Sequence, residues 1–190
     1  MDVMDRFQLA AAGFETRLRR TGAHDWTRPT PCAEWNVRQL VNHMVRGNLN
    51  YAALIRGASA ADFLRMRDVD ALGDDPQAAY QASTQECAAA FDGPPDRMLD
   101  YPAGPITAAQ ALAIRTADTV VHTWDLARAL DGDEVLDDDL VRWLDTELDD
   151  IYAGLDVAAH FAAPRGVAGD SPQERVLHRL GRAGRSPSHR

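Results

Sequence analysis

The stretch TAAQALAIRTADTVVHTWDLARAL, residues 107–130, decides how the rest of this chain is read. Thr107 and Gln110 form a capping box, the signature of a helix start, and Gly132 supplies the stop. A helix of roughly 24 residues between them spans about 36 Å at the usual rise. Most of its positions are Ala, Leu, Ile, Val or Trp, so it belongs inside the protein. Arg115, Asp118, His122 and Asp125 nevertheless recur at steps of three and four and draw one polar line down it. A polar line facing a bundle interior must be satisfied, and a metal ion with ordered water would do so. Asp118 and His122 leave the same face about one turn apart, a separation suited to clamping one ion. By spacing alone the pair fits a surface hydrogen bond at least as well.

Other helices can be read outward from this one. The first runs from about Val3 to Arg19, with Phe7, Ala11, Phe14 and Leu18 along one face. A breaker-rich loop from Thr27 to Glu34 leads to a second, in which Asn36 caps, Gln39 answers as the capping-box partner and Trp35 staples onto Leu40. That helix runs from Val37 to about Arg56, and a short piece follows over Ala60 to Arg67. Asp75-Pro76 opens a third long helix, which Asp92-Gly93-Pro94-Pro95 ends after Phe91. Met98 to Pro105 reads as extended. Asp137 caps a further helix whose buried stripe is Leu140, Leu144, Leu148 and Ile151, with Leu136 and Val141 as its staple. A short run from Glu174 to Leu180 comes last. These elements predict an all-α, up-and-down four-helix bundle with an extra short helix and an irregular C-terminal tail. The expected domain covers residues 1–180, and 181–190 are expected to be a disordered tail.

A chain of 190 residues can close a core without disulfides or a structural metal, so a metal here serves chemistry rather than folding. No window approaches the roughly 18 apolar residues of a membrane span, and MDVMDRFQLA lacks the basic and apolar runs of a signal peptide. A cytoplasmic protein is expected, with no membrane partner. The net charge of −9 repels a phosphate backbone, which excludes nucleic acid as an expected partner. All 20 basic side chains are arginine, so Schiff-base chemistry has no amine to use. Cys32 and Cys87 read as two reduced thiols. A homodimer suits so short a bundle, although no stretch locates an interface.

His43 sits at the edge of the stripe Val37, Leu40, Val41 and Met44 and offers a third ligand from the second helix. A lone His on an apolar face is more commonly a packed, satisfied one. Two His and one carboxylate would leave positions open for water or substrate, as a reactive site requires. Asp125 can accept from a ligand imidazole as an outer carboxylate, or lie on the helix surface. Arg46 and Arg115, each three residues from a proposed ligand, can hold an acidic group of a cofactor or form ordinary salt bridges. Cys32 precedes the second helix, where its pKa falls if the helix terminus faces it and rises if it is buried; packing is the favoured reading. Trp35 and Trp124 read as core, with a pocket wall as the alternative for Trp124. His24, His160, His178 and His189 have no ligating partner at a useful spacing, though His160-Phe161 can approach the bundle mouth.

Two motifs carry a family resemblance. The run TPCAEWNVRQLVNH, residues 30–43, resembles the loop and second-helix signature of the DinB-like bundles related to mycothiol-dependent maleylpyruvate isomerase. The run DTVVHTWDLAR, residues 118–128, resembles that family's second signature. The resemblance implies a four-helix bundle with a divalent metal, zinc or nickel, bound by His43, Asp118 and His122. It also implies a low-molecular-weight thiol, mycothiol in actinobacteria, as cofactor or substrate for isomerisation or S-transfer on a small electrophile. Two departures limit it: the isomerase has an additional C-terminal domain for which this tail is too short, and its acidic ligand is Glu where Asp118 stands here. Maleylpyruvate itself is therefore not the expected substrate. The competing readings are a non-catalytic metal-binding bundle, acting as sensor or interaction module, and a purely structural helical protein. A ferritin-like di-iron centre is disfavoured because the paired Glu-x-x-His motifs are absent.

Overall fold

Each helix starts where a side-chain oxygen can satisfy the free amides of a first turn. In a computed structural model, which describes residues 1–33, 35–155, 163 and 168–182, Asp2 caps α1 (Val3–Leu18) and the Asn36–Gln39 box opens α2 (Val37–Ile55). Ser59 caps α3 (Ala60–Arg65), which tightens into a 3-10 turn, Met66–Asp68. Asp75 caps α4 (Pro76–Ala90), with proline in its first turn. The stretch expected to be extended forms one arm of a small antiparallel ladder, in which β1 (Met98–Leu99) pairs with β2 (Ile106–Thr107). Thr107 then caps α5 (Ala108–Ala129), Asp137 caps α6 (Asp138–Ile151) and Ser171 caps α7 (Pro172–Arg179).

Only half of the expected Thr107 capping box forms. Thr107 accepts from the Gln110 amide, but the Gln110 side chain donates instead to the carbonyls of Ile151 and Ala153 at 3.2 and 3.0 Å. It thereby ties the start of α5 to the end of α6.

The four long helices close into a ring: α1 packs on α5 and α4, and α2 packs on the same two. Consecutive α1 and α2 thus stand across the ring from each other, which the long connection 19–36 permits. α6 leans on α5, and α7 on α6. The fold is all-α apart from the short ladder. α5 is buried along nearly its whole length, because its polar residues find partners inside. Thr116, Thr119 and Thr123 return their hydroxyls to the carbonyls four residues back, at 2.7 to 2.8 Å. The apolar core falls into two clusters, one built on Phe7, Leu112, Trp124 and Leu144, the other on Phe14, Leu40, Met44 and Leu126. Each fully buried side chain of this kind contributes about 1.5–3 kcal/mol, so both are substantial.

Among the described residues no helix is long and apolar enough to cross a membrane. Residues 183–190, most of the expected tail, lie outside the described residues, as do His160, Phe161 and His189. Gly181 and Arg182 are described, and Arg182 is buried.

Candidate metal centre

Because α2 and α5 are neighbours in the ring, the two helices bring the three proposed ligands to one point. His43 Nε2 lies 3.1 Å from Asp118 Oδ2, and His122 Nε2 lies 3.2 Å from Asp118 Oδ1. Tetrahedral zinc with bonds of 2.0–2.2 Å holds its ligand atoms about 3.3–3.6 Å apart. One donor atom from each residue lies within 4.8 Å of the other two, so the donor set suits a divalent ion in chemistry and is gathered closely enough to meet one. His43 and Asp118 keep 26% and 20% side-chain exposure while His122 keeps 5%. One side of the centre consequently faces outward.

Asp125, one turn beyond His122, accepts from its Nδ1 at 2.8 Å. That bond would leave Nε2 as the nitrogen to meet an ion, as where an outer carboxylate fixes a ligand imidazole. Arg115, three residues before Asp118, is 1% exposed and donates to Asp118 Oδ2 at 2.5 Å, Asn48 Oδ1 at 2.7 Å and the Met44 carbonyl at 2.8 Å. Asn48 passes the network on to Ser83 and Thr84.

Burial is the largest influence on each ligand and opposes its charge. At Asp118 the two imidazoles outweigh it and hold the carboxyl well below the ordinary range. At His122, Asp118, Asp125 and Cys32 outweigh it and raise the imidazole well above its usual value. At His43 burial prevails over Asp118 and lowers the imidazole.

Arg115 and Arg46, read as holding an acidic group of a cofactor or forming ordinary salt bridges, have partners within the protein. Arg115 spends its fork on the network just described, and Arg46 donates to the Arg67 carbonyl. Trp35, read as core, packs against the second apolar cluster and also stands beside the imidazoles, with its ring 4.6 Å from that of His43 and 5.7 Å from that of His122. Trp124 is core, with Arg128 stacked on its ring. Cys32 is half-buried against the second apolar cluster, and its Sγ also lies 3.3 Å from Asp125 Oδ2 and 3.9 Å from His122 Nδ1. Sequence reasoning missed Arg182, whose guanidinium lies 2.6 Å from Asp125. Its one signal was its place in the arginine-rich close Leu180-Gly181-Arg182. A groove of about 350 Å³ lined by Leu9, Gly13, Val120 and Leu140 uses a different face of α5 and includes none of the ligands.

Gly47 makes room for Arg115, since a Cβ there would stand 2.6 Å from its Nη1 and 2.9 Å from its Cζ. In an ordinary mid-helix position Gly→Ala gains about 1 kcal/mol. Here the guanidinium is pinned by three partners, so the sign reverses. Gly47→Ala is expected to lose roughly 1–3 kcal/mol, the usual cost of overpacking. Urea unfolding would show it as a lower midpoint with unchanged slope, and an unchanged or higher midpoint would mean that Arg115 moves freely.

A bundle whose interior seam points two imidazoles and a carboxylate at one position defines the class. The chain belongs to the mycothiol maleylpyruvate isomerase N-terminal domain family, whose pattern matches residues 7–127 and so takes in His43, Asp118, His122 and Asp125. It is 30% identical over 142 residues to uncharacterised proteins from two strains of Mycobacterium tuberculosis, across 74% of this chain and 74% of theirs. The crystal structure of the mycothiol-dependent maleylpyruvate isomerase superposes with a TM-score of 0.60, covering 78% of this chain and 70% of that one at 13% identity. That likeness establishes the fold expected from the two motifs.

Proposed function

We propose that this chain binds a divalent metal ion, zinc or nickel, through His43, Asp118 and His122, and works with a low-molecular-weight thiol of the mycothiol type. The reaction is transfer or isomerisation on a small electrophile. The observation that carries this reading is the convergence of three donor atoms from two helices while Asp125 engages the far nitrogen of His122. The thiol is supported by the family and by the isomerase whose fold this chain shares.

A divalent ion here would supply Lewis acidity, which lowers the pKa of a thiol bound to it so that a thiolate, the effective nucleophile, exists at neutral pH. The protein's part is placement. Asp118 stays ionised beside the two imidazoles and takes a bond from Arg115, and Asp125 keeps the His122 ring from turning. Trp35 covers the imidazoles on one side, while the exposed edges of His43 and Asp118 leave an approach for substrate.

The test is to incubate metal-loaded protein with mycothiol and a panel of small electrophiles, with and without chelator. Transfer would consume free thiol, and isomerisation would convert the electrophile with thiol conserved. In either case chelation is expected to stop turnover. Stoichiometric metal with no conversion of any electrophile would favour the non-catalytic bundle, and a protein that takes up no metal would overturn the reading.

A further inference from the structure

His122 belongs to two possible triads. Its Nε2 faces His43 and Asp118, and its Nδ1 faces Cys32 and Asp125. Donor chemistry alone favours the second, because zinc takes thiolate readily. The second triad, however, already contains a cation. Arg182 grips Asp125 with two bonds, Nε to Oδ1 at 3.1 Å and Nη2 to Oδ2 at 2.6 Å, and the same Nη2 reaches Cys32 Sγ at 3.2 Å. The guanidinium side chain is 8% exposed and the Asp125 side chain 0%, so little water screens the pair.

Local backbone chemistry delivers this arginine. α7 ends in a left-handed residue, Gly181 at φ +75, and the Arg182 amide bonds back to the Leu177 carbonyl at 2.8 Å. That turn reverses the chain, fully buried Leu180 anchors it, and Arg182 Nη1 closes onto the Leu180 carbonyl at 2.8 Å. The C-terminal segment thus reaches a carboxylate 57 residues earlier in the sequence.

We infer that Arg182 is a positioning residue that commits His122 to the His43–Asp118 site, by locking Asp125 onto Nδ1 and by filling the Cys32–His122–Asp125 triad with the protein's own cation. The inference rests on the metal reading above. Uncompensated, a second positive ion cannot settle beside a buried guanidinium, so the metal is directed to one side of the shared imidazole.

Cobalt(II) is the probe, because a cobalt–thiolate bond gives an intense near-ultraviolet charge-transfer band that nitrogen and oxygen ligands do not. Wild type should bind cobalt without that band. Arg182→Gln should show the band and weaken zinc binding about 10- to 100-fold, as losses around a ligand's supporting carboxylate do. Arg182→Lys should keep the wild-type spectrum, and Arg179→Ala, which removes an exposed pair between α7 and Asp149 of α6, should leave both readouts unchanged. Should Arg182→Gln fail to fold, Cys32→Ser in the intact protein decides, since an uninvolved sulfur predicts unaltered cobalt spectrum and zinc affinity. A wild-type spectrum from folded Arg182→Gln, or a changed one from Cys32→Ser, would overturn the inference and leave the metal reading standing. Wild type that binds neither ion defeats the metal reading itself, before any variant is compared.

Discussion

Replacing His122 with alanine is expected to empty the centre: protein purified without added metal should carry about one divalent ion per chain as wild type and close to none as His122→Ala. The size of the effect follows from what the side chain holds. Changes to groups that merely support a ligand cost about 10- to 100-fold in affinity, and loss of one of three ligands should exceed that. The fold should survive, because Asp125 keeps Arg182 and Asp118 keeps Arg115 and His43. Circular dichroism on the same samples separates an empty site from an unfolded chain. A pH dependence accompanies the metal. Burial pushes the His122 imidazole down, but Asp118, Asp125 and Cys32 raise it well above 6.5 overall, so the free protein holds a proton where the ion must bind. Metal affinity should therefore fall by about tenfold per pH unit once the pH drops below that raised value. The window opens above 6.5 and extends downward through it. Equal metal content in the two proteins, measured by elemental analysis, would remove His122 from the centre.

The parts of this molecule governed by short-range rules were legible in the sequence. Asn36 and Asp75 cap where their side chains can reach free amides, and Asp118 and His122 share a face because helical periodicity allows nothing else. His43 stands out as a candidate third ligand because it sits at the edge of an apolar stripe, an anomaly visible without knowing which helix α2 meets. Long-range placement was less accessible. The size and staple position of Trp35 point to core, which it does pack against, but nothing local shows that its ring also meets the two imidazoles. Arg115 resembled a cofactor anchor because spacing shows that it neighbours Asp118, whereas only packing shows that Asn48 and Met44 claim its remaining donors. Arg182 lies 150 residues from Cys32, and no local pattern links them. Gln110 illustrates the same limit at short range: its capping role was available, but two carbonyls at the end of α6 took its amide instead.

Arg115→Leu should be among the most destabilising single changes, and the loss should depend on metal. The guanidinium serves Asp118, Asn48 and the Met44 carbonyl at once, with 1% exposure, so leucine would fill the volume while stranding a carboxylate and an amide oxygen. Removing one partner of a buried ion pair costs about 3–5 kcal/mol. Asp118 retains two imidazoles and is 20% exposed, which argues for the lower end, about 3 kcal/mol. For a chain of this size that corresponds to a fall in Tm of roughly 6–12 °C. A bound divalent ion would present fresh positive charge to the same carboxylate, so zinc should raise the Tm of the variant more than that of wild type. Thermal scans of both proteins with and without zinc measure the two effects together. A metal-free shift below about 2 °C, smaller than the loss of even 1 kcal/mol would give, would show that the guanidinium is not what stabilises Asp118. Equal zinc gains in the two proteins would separate Asp118 from the metal.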